Sequence, residues 1–223
     1  MSSKKKYPLL VFDWDGTLVD SIGRIVTSLQ YASKTAIDVD ISEYHARSVI
    51  GLGLVEAVAA LHPDLNRDRH SDELERVADA YRQHYLYENE IEAPLFDGVE
   101  DMLDALRTKG YTLAVATGKS RTGLDHALRE HGFESLFDIT RTPTESRSKP
   151  DPAMLNEIMT EMAFSAQHTL MIGDSEHDLK MATNAGVASI AVTHGVHGKE
   201  TLEKHSPLTC LDRITGLDAY LHD

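Results

Sequence analysis

The chain has 223 residues, 41% hydrophobic and 26% charged, enough to bury a substantial core as one domain or as one domain carrying an insertion. Its 36 acidic against 22 basic residues give a formal charge of -14, which repels nucleic acid and anionic membrane, so neither is expected as a partner and any phosphate site needs local positive charge. The single cysteine, Cys210, excludes an internal disulfide framework, is expected to be a small packing residue, and fits a cytoplasmic location.

Lys4 to Lys6 are expected to form a solvated basic tail. The apolar run behind them stops at Asp13, short of a signal peptide, and no run approaches the roughly 20 residues of a membrane helix. "PLLVFDW" (8–14) is short and continuously apolar, as in a strand buried on both faces of a parallel sheet. Residues 20–92 change texture. "DSIGRIVTSLQYASKTA", "ISEYHARSVI", "LVEAVAALHP" and "DELERVADAYRQHYLYENE" carry helical spacing with no convincing strand between them. This predicts an all-helical cap over residues 20–92, inserted at the carboxyl end of the first strand of a core made of residues 1–19 and 93–223. Strand and helix then alternate. The helix "VEDMLDALRTKG" stops at Gly110, followed by the strand "YTLAVAT" (111–117) and the helix "RTGLDHALREHG" stopping at Gly132. "LFDIT" (136–140) is a weaker strand candidate, and "DPAMLNEIMTEM" is a helix with Pro152 near its start. The strand "HTLMIGD" (168–174), the helix "EHDLKMATNAG" and the strand "VASIAVT" (187–193) follow. The alternation predicts an α/β fold with a doubly wound parallel sheet.

In such a sheet the polar residues at the strand ends converge on its carboxyl edge: Asp13 and Asp15, Thr117 and Gly118, then Asp174 with Asp178 one helical turn later, joined by Lys149 in "SKPDP". Each has a plain alternative, with Asp15-Gly16 as a turn, Thr117-Gly118 as a strand exit, Asp174 as a helix N-cap and Asp178 as a solvated helix residue. Their order and placement together point to one site.

At "DWDGT", "ATGK", "KPDP" and "GDSEHD" the sequence resembles the haloacid dehalogenase superfamily of hydrolases, with all four motifs in order. Through "FDWDGTLVDS" and "IGLG" it is most similar to phosphoglycolate phosphatase-like members. The resemblance implies a Rossmann-like core, a helical cap and a magnesium-dependent phosphatase. It implies Asp13 as the nucleophile that forms an aspartyl-phosphate and also binds metal, and Asp15 as general acid and then base, its backbone carbonyl on the metal. Asp174 is implied as a further metal ligand, with Asp178 a weaker one, direct or through water. Thr117 and the Gly118 N–H would hold phosphoryl oxygens, and Lys149 would supply the missing positive charge. The chemistry agrees, because a carboxylate attacking an anionic phosphate meets repulsion unless cations neutralise both, and clustered carboxylates suit a hard ion. Asp15 is also what haloacid-cleaving members of the superfamily lack, which favours phosphoryl transfer.

Lys119 and Ser120 are expected to start a helix rather than to be catalytic, and Glu176 and His177 to be exposed or to sit behind the catalytic residues. Among twelve histidines no zinc pattern occurs, and "THGVHG", with His194 and His197, is expected as a loop near the active edge. "GLGL" (51–54) is, by resemblance, a cap turn facing the core. Tyr81, Tyr85 and Tyr87 are expected to be helix packing, and Arg24, His45 and Arg47 ordinary surface charge. The expected substrate is a small phosphorylated metabolite, with phosphoglycolate leading by likeness and sugar phosphates next. A sugar phosphomutase and a non-catalytic regulatory protein are the alternatives, and the chain is expected to be a monomer or a dimer.

Overall fold

The computed structural model describes residues 5–65 and 69–222. Lys4 lies outside the described residues. Lys5 is not simply solvated: its ammonium donates to the Gly110 carbonyl at 3.1 Å and lies over the Tyr111 ring, tying the chain start to the sheet.

Six strands form one parallel sheet in the order β3-β2-β1-β4-β5-β6. They are β1 (Leu9–Phe12), β2 (Thr112–Ala116), β3 (Ile139–Arg141), β4 (Thr169–Gly173), β5 (Ala188–Val192) and β6 (Cys210–Leu211). β1 is central because all four of its side chains are fully buried, two on each face. Leu10 and Phe12 join the layer containing Leu103, Leu106 and Leu124, while Leu9 and Val11 join Leu155, Ile158 and Met181 on the other face. Period-two alternation sends successive residues to opposite faces, and each such burial stabilises by about 1.5–3 kcal/mol. A rigid central strand is therefore what carries the charged residues at its end. The sequence's weaker strand candidate, 136–140, forms later than expected, at Ile139–Arg141. β6 was not anticipated, since two residues carry no periodicity; Cys210 within it packs against the small cluster of Leu179, Ala191 and Leu202.

Between β1 and α5 (Val99–Thr108) lie the helices α1 (Ile22–Ile37), α2 (Glu43–Ser48), α3 (Leu54–Leu61) and α4 (Ser71–Gln83), with a π-helical turn at His84–Glu88. They bury a core of their own, in which Ile22, Ile25, Val26 and Leu29 of α1 meet Ala46, Val49 and Ile50. Where the chain leaves and re-enters the sheet region its two passages are paired, Asp20 N–H donating to the Pro94 carbonyl and Phe96 N–H to that of Leu18. The helices that follow are α6 (Arg121–Glu130), α7 (Ala153–Glu161), α8 (Glu176–Asn184), α9 (Lys199–Glu203) and α10 (Gly216–His222). Among the described residues no helix is long and apolar enough to cross a membrane.

Candidate active site at the carboxyl edge of the sheet

The chain direction reverses its progress across the sheet between β1 and β4, which is where open α/β sheets leave a crevice. Parallel register sets Phe12 beside Ile172, and Asp13 N–H donates to the Ile172 carbonyl at 2.9 Å, so Asp13 and Asp174 emerge side by side. Lys149, reached through the loop after β3, places its buried Nζ 2.6 Å from Asp13 Oδ1 and 2.6 Å from Asp178 Oδ1. Asp178 is buried rather than solvated. It completes a capping box at the start of α8, where Ser175 Oγ accepts from Asp178 N–H and Asp178 Oδ2 accepts from Ser175 N–H. Ser175 is thus the N-cap, and the alternative reading of Asp174 as the cap is corrected. Asp174 instead accepts from Thr17 Oγ1 at 2.9 Å and from Val196 N–H at 2.7 Å. Glycine is required around it, since a Cβ at Gly195 or Gly16 would stand 2.1 Å or 2.3 Å from Asp174 Oδ2.

Asp13, Asp174 and Asp178 each offer an oxygen within 4.8 Å of the others. Burial, then the charge of Asp178, pushes Asp13 well above the usual carboxylate range against the pull of Lys149. The same two causes push Asp174 up to about 7. Burial disfavours the Lys149 charge, yet Asp13 and Asp178 hold its pKa above that of an ordinary lysine. One lysine does not neutralise three carboxylates, and Asp13 Oδ2 is buried with no hydrogen-bond partner among the described residues. This all-oxygen donor set fits a hard divalent cation. Asp178 already uses both oxygens, so its visible task is to hold Lys149 and the Ser175 turn.

Asp15, two residues beyond Asp13, accepts from Ser21 Oγ at 2.5 Å through Oδ1. Thr117 at the end of β2 is buried, and its Oγ1 accepts from Lys119 N–H at 3.2 Å. Gly118 is pressed by the turn before α3: a Cβ there would lie 2.3 Å from the Leu52 carbonyl oxygen and 2.8 Å from that of Gly51. Beside it Gly53 N–H donates to Ser148 Oγ at 2.7 Å. The "GLGL" turn therefore does face the sheet edge, and it helps close a cavity of about 90 Å³ bounded by Asp13, Asp15, Gly118, Lys119 and, from the helices, Tyr81 and Tyr85.

Several expectations fail here. Ser120 does cap α6 by accepting from Gly123 N–H, but Lys119 is no plain helix-start residue, because its buried ammonium lies 3.0 Å from Asp15 Oδ1. Tyr85 is not mere packing either, since Lys119 Nζ donates to its hydroxyl at 3.0 Å. Tyr87 is exposed. Arg24 donates to the Tyr85 carbonyl and Arg47 to that of Gly195, so neither is free surface charge, whereas His45 is exposed. The His194–His197 loop wraps Asp174, with His197 N–H on its carbonyl, and neither ring belongs to a metal-ligating cluster among the described residues. Glu176 and His177 are half-buried.

The profile of the haloacid dehalogenase-like hydrolases matches residues 10–192. The chain belongs to this family. As a member of the haloacid dehalogenase-like hydrolases it is similar to the Dickeya dadantii protein named "Probable phosphatase IndB", 34% identical over 96% of this chain and 94% of that one. It is also similar to the phosphoglycolate phosphatase of Vibrio vulnificus (strain YJ016), 28% identical over 96% of both chains. Among solved structures, a haloacid dehalogenase-like hydrolase from Bacteroides fragilis superposes with a TM-score of 0.86 at 25% identity, covering 95% of this chain and 100% of the other.

Proposed function

We propose that this hydrolase is a magnesium-dependent phosphatase acting on a small phosphorylated metabolite through an aspartyl-phosphate on Asp13. The observation that carries the reading is the convergence, at one sheet edge, of Asp13, Lys149, Asp174 and Asp178, beside a cavity lined by Asp13 and Asp15. Asp13 supplies the nucleophilic oxygen, and Asp15 gives a proton to the leaving alkoxide and then takes one from the water that cleaves the acyl-phosphate. Thr117 Oγ1 and the Gly118 N–H hold the phosphoryl oxygens, and Lys149 neutralises the nucleophile and the transferring group. Asp13, the Asp15 backbone carbonyl and Asp174 would hold the magnesium, with Asp178 behind them, directly or through water. When bound, that ion supplies the positive charge that lets a carboxylate approach a phosphate dianion.

We take residues 20–92 as the cap and residues 1–19 and 93–223 as the core. A cavity of only about 90 Å³, walled on one side by the helices of residues 20–92, favours a small metabolite over a phosphoprotein. Phosphoglycolate is the leading substrate, supported by the named activity of the Vibrio relative. The test is a phosphate-release screen of phosphorylated acids, sugars and nucleosides with magnesium, ranked by kcat/KM. Release that chelator abolishes is expected. A sugar phosphate isomerised without release would make the protein a phosphomutase, and no turnover by folded, magnesium-loaded protein would make it a binding protein.

A further inference from the structure

Lys119 joins three parts of the molecule. It sits just after β2, its Nζ lies 3.0 Å from Asp15 Oδ1 beyond β1, and it donates to Tyr85 Oη at 3.0 Å from the helical insertion. The ammonium also lies 4.6 Å from the Tyr85 ring centroid, while the Arg24 guanidinium lies 4.8 Å from the same centroid. Tyr85 belongs to the π-helical turn His84–Glu88, a local departure from α-helix of the kind that re-aims side chains at functional sites. Asp15 Oδ1 thus accepts from Ser21 Oγ and pairs with the Lys119 ammonium, and among the described residues no hydrogen bond or ion pair reaches Oδ2. A carboxyl group turns freely between its two-fold related orientations unless something distinguishes its oxygens. Here a hydroxyl donor and an ammonium charge on the same oxygen make that distinction.

We propose that Lys119 is a positioning residue that anchors Asp15 through Oδ1, leaving Oδ2 as the oxygen that moves protons, and that Tyr85 completes the anchor when the helical insertion closes on the sheet edge. This rests on the phosphatase reading. In the first step Oδ2–H passes its proton to the leaving oxygen as that oxygen takes the electron pair of the breaking P–O bond and Asp13 bonds to phosphorus. In the second, Oδ2 takes a proton from water as the water oxygen bonds to phosphorus and the Asp13–phosphorus bond breaks. Both steps need the same oxygen held in place.

Leaving-group dependence separates positioning from substrate binding, because p-nitrophenolate leaves without a proton and an alkoxide does not. Lys119→Met should lower kcat/KM for an alkyl phosphate at least about tenfold more than for p-nitrophenyl phosphate, a fraction of the full general-acid effect. Asp15→Asn should show the same bias, and Lys119→Met added to it should cost less than about twofold more, since residues acting as one unit are not additive. Tyr85→Phe should shift the bias in the same direction by less, and Lys119→Arg should recover most of it. Equal losses on both substrates, an undiminished Lys119→Met effect in the Asp15→Asn background, or a loss confined to KM for carboxylate-bearing substrates would each overturn the proposal. Absence of turnover in the wild-type enzyme would instead refute the phosphatase reading beneath it.

Discussion

Lys149→Met gives the sharpest consequence of the buried charge cluster. Lys149 is 1% exposed and its ammonium lies 2.6 Å from both Asp13 and Asp178, so methionine fills much the same volume while removing the only cation in contact with either carboxylate among the described residues. Breaking a buried pair by removing one partner costs about 3–5 kcal/mol, because the remaining charge stays desolvated. At about 2–4 °C per kcal/mol for a chain of this size, the metal-free variant should melt about 6–20 °C below the wild type. Part of that loss reflects Asp13 and Asp178 repelling each other, so adding Asp178→Asn should restore some stability, a non-additivity that a double-mutant cycle reads directly. The assay is urea or thermal unfolding of the four proteins with chelator at about pH 7.5. Equal stability of wild type and Lys149→Met, or a double variant weaker than the sum of its parts, would refute the reasoning. In either background the variant should lose phosphate release, since the transferring group loses its cation.

The clamp on Gly118 should be as sensitive. In Gly118→Ala the new Cβ meets two backbone carbonyls rather than a yielding side chain, so the closed arrangement is disfavoured by about 1–3 kcal/mol, and kcat/KM should fall about 5–150-fold; an unchanged kcat/KM would show that closure at this point does not matter. Asp174, pushed up to about 7 by burial and then Asp178, predicts a pH dependence of stability. The folded protein keeps a proton that the unfolded chain releases near 3.8, so this contribution is full below that value and is lost as pH rises through about 7. In chelator the melting temperature should therefore fall from about pH 5 to about pH 8, and the gain on adding magnesium should grow over the same range as the ion replaces the proton. A gain that shrinks with rising pH would contradict the assignment of Asp174 to the metal.

Much of the sheet was legible because burial on both faces leaves continuous apolar runs such as "LLVF" and "TLMIG", and parallel pairing then forces their ends to one edge. The same geometry makes Asp13, Asp174 and Lys149 readable as neighbours from the sequence. β6 was too short to show a period, and α9 and α10 were not foreseen. The role of Lys119 is not legible in the sequence because its environment is set by Asp15 and Tyr85, remote in sequence and joined only by the way the helical insertion folds back. A signal was nonetheless present, since a lysine two residues after Thr117 leaves the sheet at the same edge as Asp15. Tyr85 was hidden for a different reason: α-helical spacing does not anticipate a π-helical turn.

The most direct test of the account is where the phosphoryl group goes. Enzyme mixed with magnesium and a turned-over substrate, quenched in acid within one turnover and digested, should carry a hydroxylamine-labile phosphoryl group on the peptide containing Asp13, and Asp13→Asn should carry none and release no phosphate. Phosphate release by Asp13→Asn, or a phosphoryl group on any other residue, would contradict it.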